Sequence, residues 1–134
     1  MEVTKTAAIA GMEISEIESR IDEKQLKQLM EKIRRAKKIY VCGAGRSLLM
    51  LRCFAMRLMH VGYDAYVVGD TTTPAFEEGD LLIVGTASGE TTNLISIADR
   101  AKSYGGTIAV CSIFPESSLG KRADAFVRIP AYTD

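Results

Sequence analysis

Tryptophan is missing from this sequence, and histidine occurs once, at position 60. That lone histidine and the three cysteines, Cys42, Cys53 and Cys111, follow none of the spacings of a zinc site. An odd number of cysteines in apolar stretches also argues against a disulfide framework, so buried, reduced thiols of a cytoplasmic protein are expected. An excess of charge is lacking too. Lysine plus arginine number 17 and aspartate plus glutamate 17, a balance that fits neither coating a nucleic acid nor lying on an anionic membrane surface. A local basic pocket for one small anion is compatible with it. No apolar run reaches the roughly 18 residues of a spanning helix, and no apolar stretch near the start reads as a secretory signal. Neither nucleic acid nor membrane is therefore expected as a partner.

What is present is an ordinary folded composition. Hydrophobic residues make up 47% and charged residues 25%, and 134 residues suit one domain around one core. Residues 3–36 read as an N-terminal helical segment in two pieces, broken at Ile21-Asp22. Asp22 is the expected N-cap of Glu23–Ala36, where Leu26, Leu29, Met30 and Ile33 recur at helical spacing. Short apolar runs then alternate with helical patterns. Strands are expected at 38–42, 65–68, 81–84, 107–111 and 125–129, with helices at 46–61 and 91–104 and a helical turn at 117–121. This alternation predicts an α/β fold, a doubly wound five-stranded parallel sheet flanked by helices. The helix 46–61 is apolar nearly all round. Surplus apolar residues such as Met50 and Phe54 predict a second packing surface, hence an oligomer.

Two turns stand out. Gly43-Ala44-Gly45-Arg46-Ser47 follows the first strand and Thr86-Ala87-Ser88-Gly89-Glu90-Thr91 the third, and each opens a helix. In a doubly wound sheet both lie at the carboxyl edge where ligands bind. Free N–H groups and the positive end of each helix dipole point into that crevice. Glycines let the backbone come close, and Ser47, Thr86, Ser88 and Thr91 add hydroxyls suited to a phosphate monoester. A dinucleotide fingerprint would need a third glycine where Leu48 stands, and no Gly-Lys-Ser/Thr follows for a Walker A loop. Arg46 sits beside Ser47 at the pocket mouth. Thr71, Thr72 and Thr73, after the second strand, are candidates for the pocket wall. Glu90 is the one carboxylate in the two turns and a weak candidate base.

Gly45-Arg46-Ser47 and Ser88-Gly89-Glu90-Thr91 resemble the phosphate loops of the sugar isomerase (SIS) domain family. The stretches 43–47, 54–62 and 66–74, with Ser117-Ser118-Leu119, resemble the 6-phospho-3-hexuloisomerases within that family. The resemblance spans essentially the whole chain. It implies a single SIS domain over 1–134, a flavodoxin-like three-layer sandwich, a homotetramer or homodimer, and no cofactor. It implies a phosphorylated hexulose as substrate: 3-hexulose 6-phosphate and fructose 6-phosphate interconvert through a cis-enediol in the ribulose monophosphate pathway. Gly45, Arg46, Ser47, Thr86, Ser88, Gly89 and Thr91 would then bind substrate, Thr86 keeping the hydroxyl of the serine found in many relatives. The resemblance also implies that His60 enters a partner subunit's site, and that the family's glutamate base lies in a helix after the fifth strand, beyond Asp134. A binding-only sugar-phosphate module and another phosphosugar isomerase are the alternatives.

Overall fold

The structure is a computed structural model that describes residues 2–131. Helix α1 (Glu2–Ser19) buries none of its residues. Helix α2 (Glu23–Arg35) begins at Asp22, whose carboxylate accepts the N–H groups of Lys24 at 2.8 Å and Gln25 at 3.1 Å. Caps of this kind stabilise a helix by about 1 kcal/mol. Leu29 and Ile33 are its buried residues, and it packs on the far edge of the sheet. Then follow β1 (Ile39–Gly43), α3 (Gly45–His60), β2 (Ala65–Val67), β3 (Leu81–Gly85), α4 (Thr92–Ser103), β4 (Thr107–Ser112), α5 (Ser118–Arg122) and β5 (Ala125–Arg128). Among the described residues no helix is long and apolar enough to cross a membrane.

The five strands are parallel and lie in the order β2-β1-β3-β4-β5. The apolar runs at β1, β3 and β4 are continuous because both faces of the sheet are covered there. On one face Ile33, Val41, Ala55, Leu58 and Ile83 form a cluster under α2 and α3. On the other, Leu82, Leu94, Ala98, Val110 and Leu119 pack under α4 and α5. The chain leaves β1 toward one edge and returns at β3 on its other side, so the switch point falls between β1 and β3. The register there pairs Gly43 with Gly85, which sets the two glycine turns side by side, about 4.8 Å apart across the sheet.

Leu51 of α3 presses onto both strand ends. A Cβ at Gly43 would lie 2.9 Å from its Cδ1, and one at Gly85 2.6 Å. Glycine at these two positions thus serves close helix–strand approach rather than dihedral freedom. The β2–β3 connection carries no helix, which leaves a groove of about 510 Å³ over β1, walled by Tyr40, Val68, Phe76, Leu82, Ile97 and Tyr104. Just before β3, Asp80, fully buried, accepts the N–H of Lys38 at 3.2 Å and of Glu77 at 2.8 Å, with Lys38 Nζ 3.5 Å away.

Helix α3 departs from the expectation in one respect. Met50 is 65% exposed, but Phe54 packs against the core beneath α3. The surplus apolar surface is instead made by Leu49, Met50, Met56 and Met59, with Val61 just beyond the helix. Element ends differ from the sequence-based ones by about a residue, as terminal hydrogen bonds fray.

Candidate active site

A pocket of about 240 Å³ opens between the two turns, lined by Ala44, Ser47, Gly85, Thr86, Ala87, Ser88, Thr91 and Leu94. The four hydroxyls singled out in the sequence therefore share one wall system. The groove over β1 is larger, but its lining is mainly apolar, whereas the smaller pocket collects hydroxyls and helix N-termini.

The helix starts here differ from those elsewhere. Asp22 and Ser117 cap α2 and α5 with their own side chains. The caps of α3 and α4 are Ala44 and Thr91, and neither makes a side-chain cap hydrogen bond. An uncapped first turn leaves N–H donors without partners, backed by the dipole's positive end. Both such ends meet at the pocket, an arrangement suited to an anion. No side chain in its lining is ionisable, so an anion here is held by hydroxyls, backbone and dipoles.

The second turn builds its shape from its own hydroxyls. Thr86 Oγ1 accepts the N–H of Gly89 at 3.2 Å, and Ser88 Oγ accepts that of Glu90 at 3.1 Å. The hydroxyl protons of both remain to donate outward. Gly89 has φ of +73°, and a Cβ there would overlap the Ser117 side chain. Gly45, φ +56°, opens α3 with free space at its Cβ position.

The remaining predicted residues are spread out. Arg46 is exposed in the first turn of α3, next to Ser47. Thr71 and Thr72 are exposed, and Thr73 donates to the Val67 carbonyl at 2.7 Å and lines the larger groove. None of the three lines the pocket between the turns, because the loop after β2 folds back along β1. His60, exposed, ends α3, about 20 Å from that helix's start. Glu90 turns its carboxylate to Ser118, accepting the backbone N–H at 2.9 Å and the hydroxyl at 2.5 Å. Those bonds, the hydroxyl's first, hold its pKa below the usual range, opposite to the shift a base near neutrality needs. The sequence reading missed the walls supplied by Ala44 and Leu94 and the supporting role of Ser112, Ser117 and Ser118. Small or apolar residues carry no chemical signature. The serines after β4 stood out only through the resemblance.

A doubly wound sheet with an uncapped, hydroxyl-lined crevice at its switch point is an α/β architecture suited to a phosphate ligand. The chain belongs to the SIS domain family, whose model matches residues 32–133. It is 45% identical to the 3-hexulose-6-phosphate isomerase of Bacillus subtilis (strain 168) over 130 residues, 97% of this chain and 70% of that protein. The crystal structure of a hypothetical protein matches it with a TM-score of 0.91 at 34% identity, over 100% of this chain and 71% of the other. A hypothetical protein from Methanococcus jannaschii, whose structure was described as inferring a 3-hexulose-6-phosphate isomerase function, matches with a TM-score of 0.78 at 38% identity, over 84% of this chain and 63% of its own. This chain thus spans between three fifths and three quarters of the length of these relatives.

Proposed function

We propose that this protein is an isomerase that interconverts 3-hexulose 6-phosphate and fructose 6-phosphate. The observation that carries the reading is the meeting of two uncapped helix N-termini and four hydroxyls in one pocket. The 45% identity to the Bacillus isomerase supplies the substrate. At about 240 Å³ the pocket falls below the roughly 300–1,000 Å³ of sites that enclose a whole ligand. It takes the phosphate, with Ser47, Thr86, Ser88 and Thr91 donating; Gly45, open at its Cβ position, allows close approach, while Gly89 lets the second turn close against Ser117. The sugar then projects outward past Arg46.

The reaction shifts a carbonyl between C3 and C2. A base removes the C2 proton of the 3-hexulose, giving a cis-enediolate charged on O3; the O2 proton passes to O3 and a proton is returned to C3, which leaves the ketone at C2. Such chemistry needs a base placed within hydrogen-bond reach and donors for the enediolate oxygen. The pocket's own lining holds no ionisable side chain, so proton transfer falls to groups that reach it from elsewhere. His60 of a second copy is the first candidate, in a homodimer or homotetramer. The apolar surface of Leu49, Met50, Met56 and Met59 beside it, and the unburied α1, support such an assembly. Most helical stability in proteins comes from packing of a helix face, and exposed apolar patches mark interaction surfaces.

Incubation with fructose 6-phosphate in deuterated water tests the reaction. Deuterium at C3 is expected. Deuterium at C1 alone would mean an aldose–ketose isomerase, and binding without exchange would mean a sugar-phosphate-binding module.

A further inference from the structure

The turn that carries Ser88 is fastened from outside the pocket. Besides the two bonds from Ser118 to Glu90, the N–H of Leu119 donates to the Gly89 carbonyl at 3.0 Å. The Ala87 carbonyl accepts twice, from the Ser112 hydroxyl at 3.1 Å and from the N–H of Ile113 at 3.3 Å. Helix α5 is itself held to α4: Arg122 donates to Asp99 at 2.6 Å and to the Ser118 carbonyl at 2.8 Å. Asp99, Arg122, Ser118 and Glu90 thereby form one polar chain, from the middle of α4 through α5 and back to the turn before α4.

None of these four residues lines the pocket, yet the chain ends on the backbone that presents Ser88. That backbone includes a glycine at positive φ preceded by the small residues Ala87 and Ser88, which alone would sample many conformations. A phosphate site made of hydroxyls and N–H groups depends on their being aimed before the ligand arrives. We infer that Glu90 is a positioning residue: its carboxylate, latched on Ser118, holds the Ser88 turn in the phosphate-binding conformation and acts on affinity, not on proton transfer. The inference rests on the phosphosugar reading of the pocket and extends it to the control of ligand affinity by α5. Each Glu90 oxygen accepts a bond from Ser118, which aims the carboxylate at α5, and Glu90 is not among the residues that line the pocket, whereas a base must lie within hydrogen-bond reach of the proton it takes.

The test compares Glu90→Ala, Glu90→Gln and Ser118→Ala with the parent chain. Without ligand, Glu90→Ala raises amide hydrogen exchange at Ser118 and Leu119 by about tenfold or more, while β3 and β4 amides keep their rates. With fructose 6-phosphate as probe, the dissociation constant of Glu90→Ala rises about fivefold or more. Glu90→Gln restores most of the affinity, since its amide oxygen still accepts the Ser118 N–H and its NH₂ donates to the hydroxyl. Ser118→Ala falls between them. Where turnover is followed, KM rises in Glu90→Ala and kcat holds. Unchanged exchange and affinity in Glu90→Ala would overturn the inference. So would a Gln variant that binds like the parent but has lost turnover, the behaviour of a base. A parent chain that fails to bind fructose 6-phosphate while the exchange difference appears would overturn the phosphosugar reading and leave the latch as a structural brace without a role in affinity.

Discussion

Thr86 and Ser88 have already given an oxygen lone pair to a backbone N–H of their own turn, at 3.2 and 3.1 Å. What each has left to offer a ligand is a proton, and a phosphate is a pure acceptor at neutral pH. Ser88→Ala removes one such donor from an exposed position. Binding of fructose 6-phosphate should weaken by about 1–3 kcal/mol with little change in thermal stability, measured by calorimetric titration and melting. The thiols behave differently. Burial pushes Cys42 up to about 12 and Cys111 up to about 11, against 9.0 for an ordinary thiol on the same scale. These groups are neutral in the fold and ionise sooner once unfolded. Their contribution to stability is intact below pH 9 and is lost as pH rises toward 11 and 12. Denaturant unfolding at pH 8 and pH 10 checks this, with the lower midpoint at pH 10. The hydroxyls, like the glycines of the two turns, were legible in the sequence because their residue types carry a local meaning. The pairing of Glu90 with Ser118 was not, since 28 positions separate them and each alone reads as a helix-start residue.

Helices separate into two kinds at their N-termini. α2 and α5 are capped by Asp22 and Ser117, whereas α3 and α4 meet the pocket uncapped. A cap contributes about 0.5–2 kcal/mol, so the fold gives up that stability where a ligand is to take the cap's place. Ala44→Asp should reverse the exchange. A carboxylate at that N-cap satisfies N–H groups of α3 and complements its dipole, raising the unfolding free energy by about 0.5–1 kcal/mol. The same charge competes with phosphate, so sugar-phosphate affinity should fall by an order of magnitude or more. A variant both stabilised and tighter in binding would break the link between uncapped ends and anion binding. The alternation of elements and the Asp22 cap were readable from periodicity and turn residues. The pairing of Gly43 with Gly85 was not, because strand order in a sheet is set by which faces pack, as Leu51 does across both strands. Phe54 shows the same limit: on a helix apolar nearly all round, periodicity cannot say which residue turns inward.

Among the described residues, exposed large apolar side chains recur on α1 and α3. Val3, Met12 and Ile14 of α1 are 78%, 65% and 58% exposed, and Met50 and Met59 of α3 are 65% and 52% exposed. His60 ends that same α3 surface. In an assembly that covers it, His60→Ala should lower kcat by about 10²–10⁴-fold and leave fructose 6-phosphate affinity close to the parent's. Wild-type turnover from a variant whose assembly is confirmed by light scattering would remove His60 from the chemistry. The sequence announced a surplus of apolar residues on α3. It could not say that α1 buries nothing, since its pattern alone looks like that of an ordinary packed helix.

The account depends most on the crevice between β1 and β3 being the phosphosugar site. An ¹H–¹⁵N NMR titration of this chain with fructose 6-phosphate, against fructose as control, addresses it directly. The amides of residues 45–48 and 86–94 should shift in a saturable manner with the phosphorylated sugar and stay in place with fructose. Shifts confined to the groove around Tyr40, Phe76 and Tyr104, or equal responses to the two sugars, would contradict it.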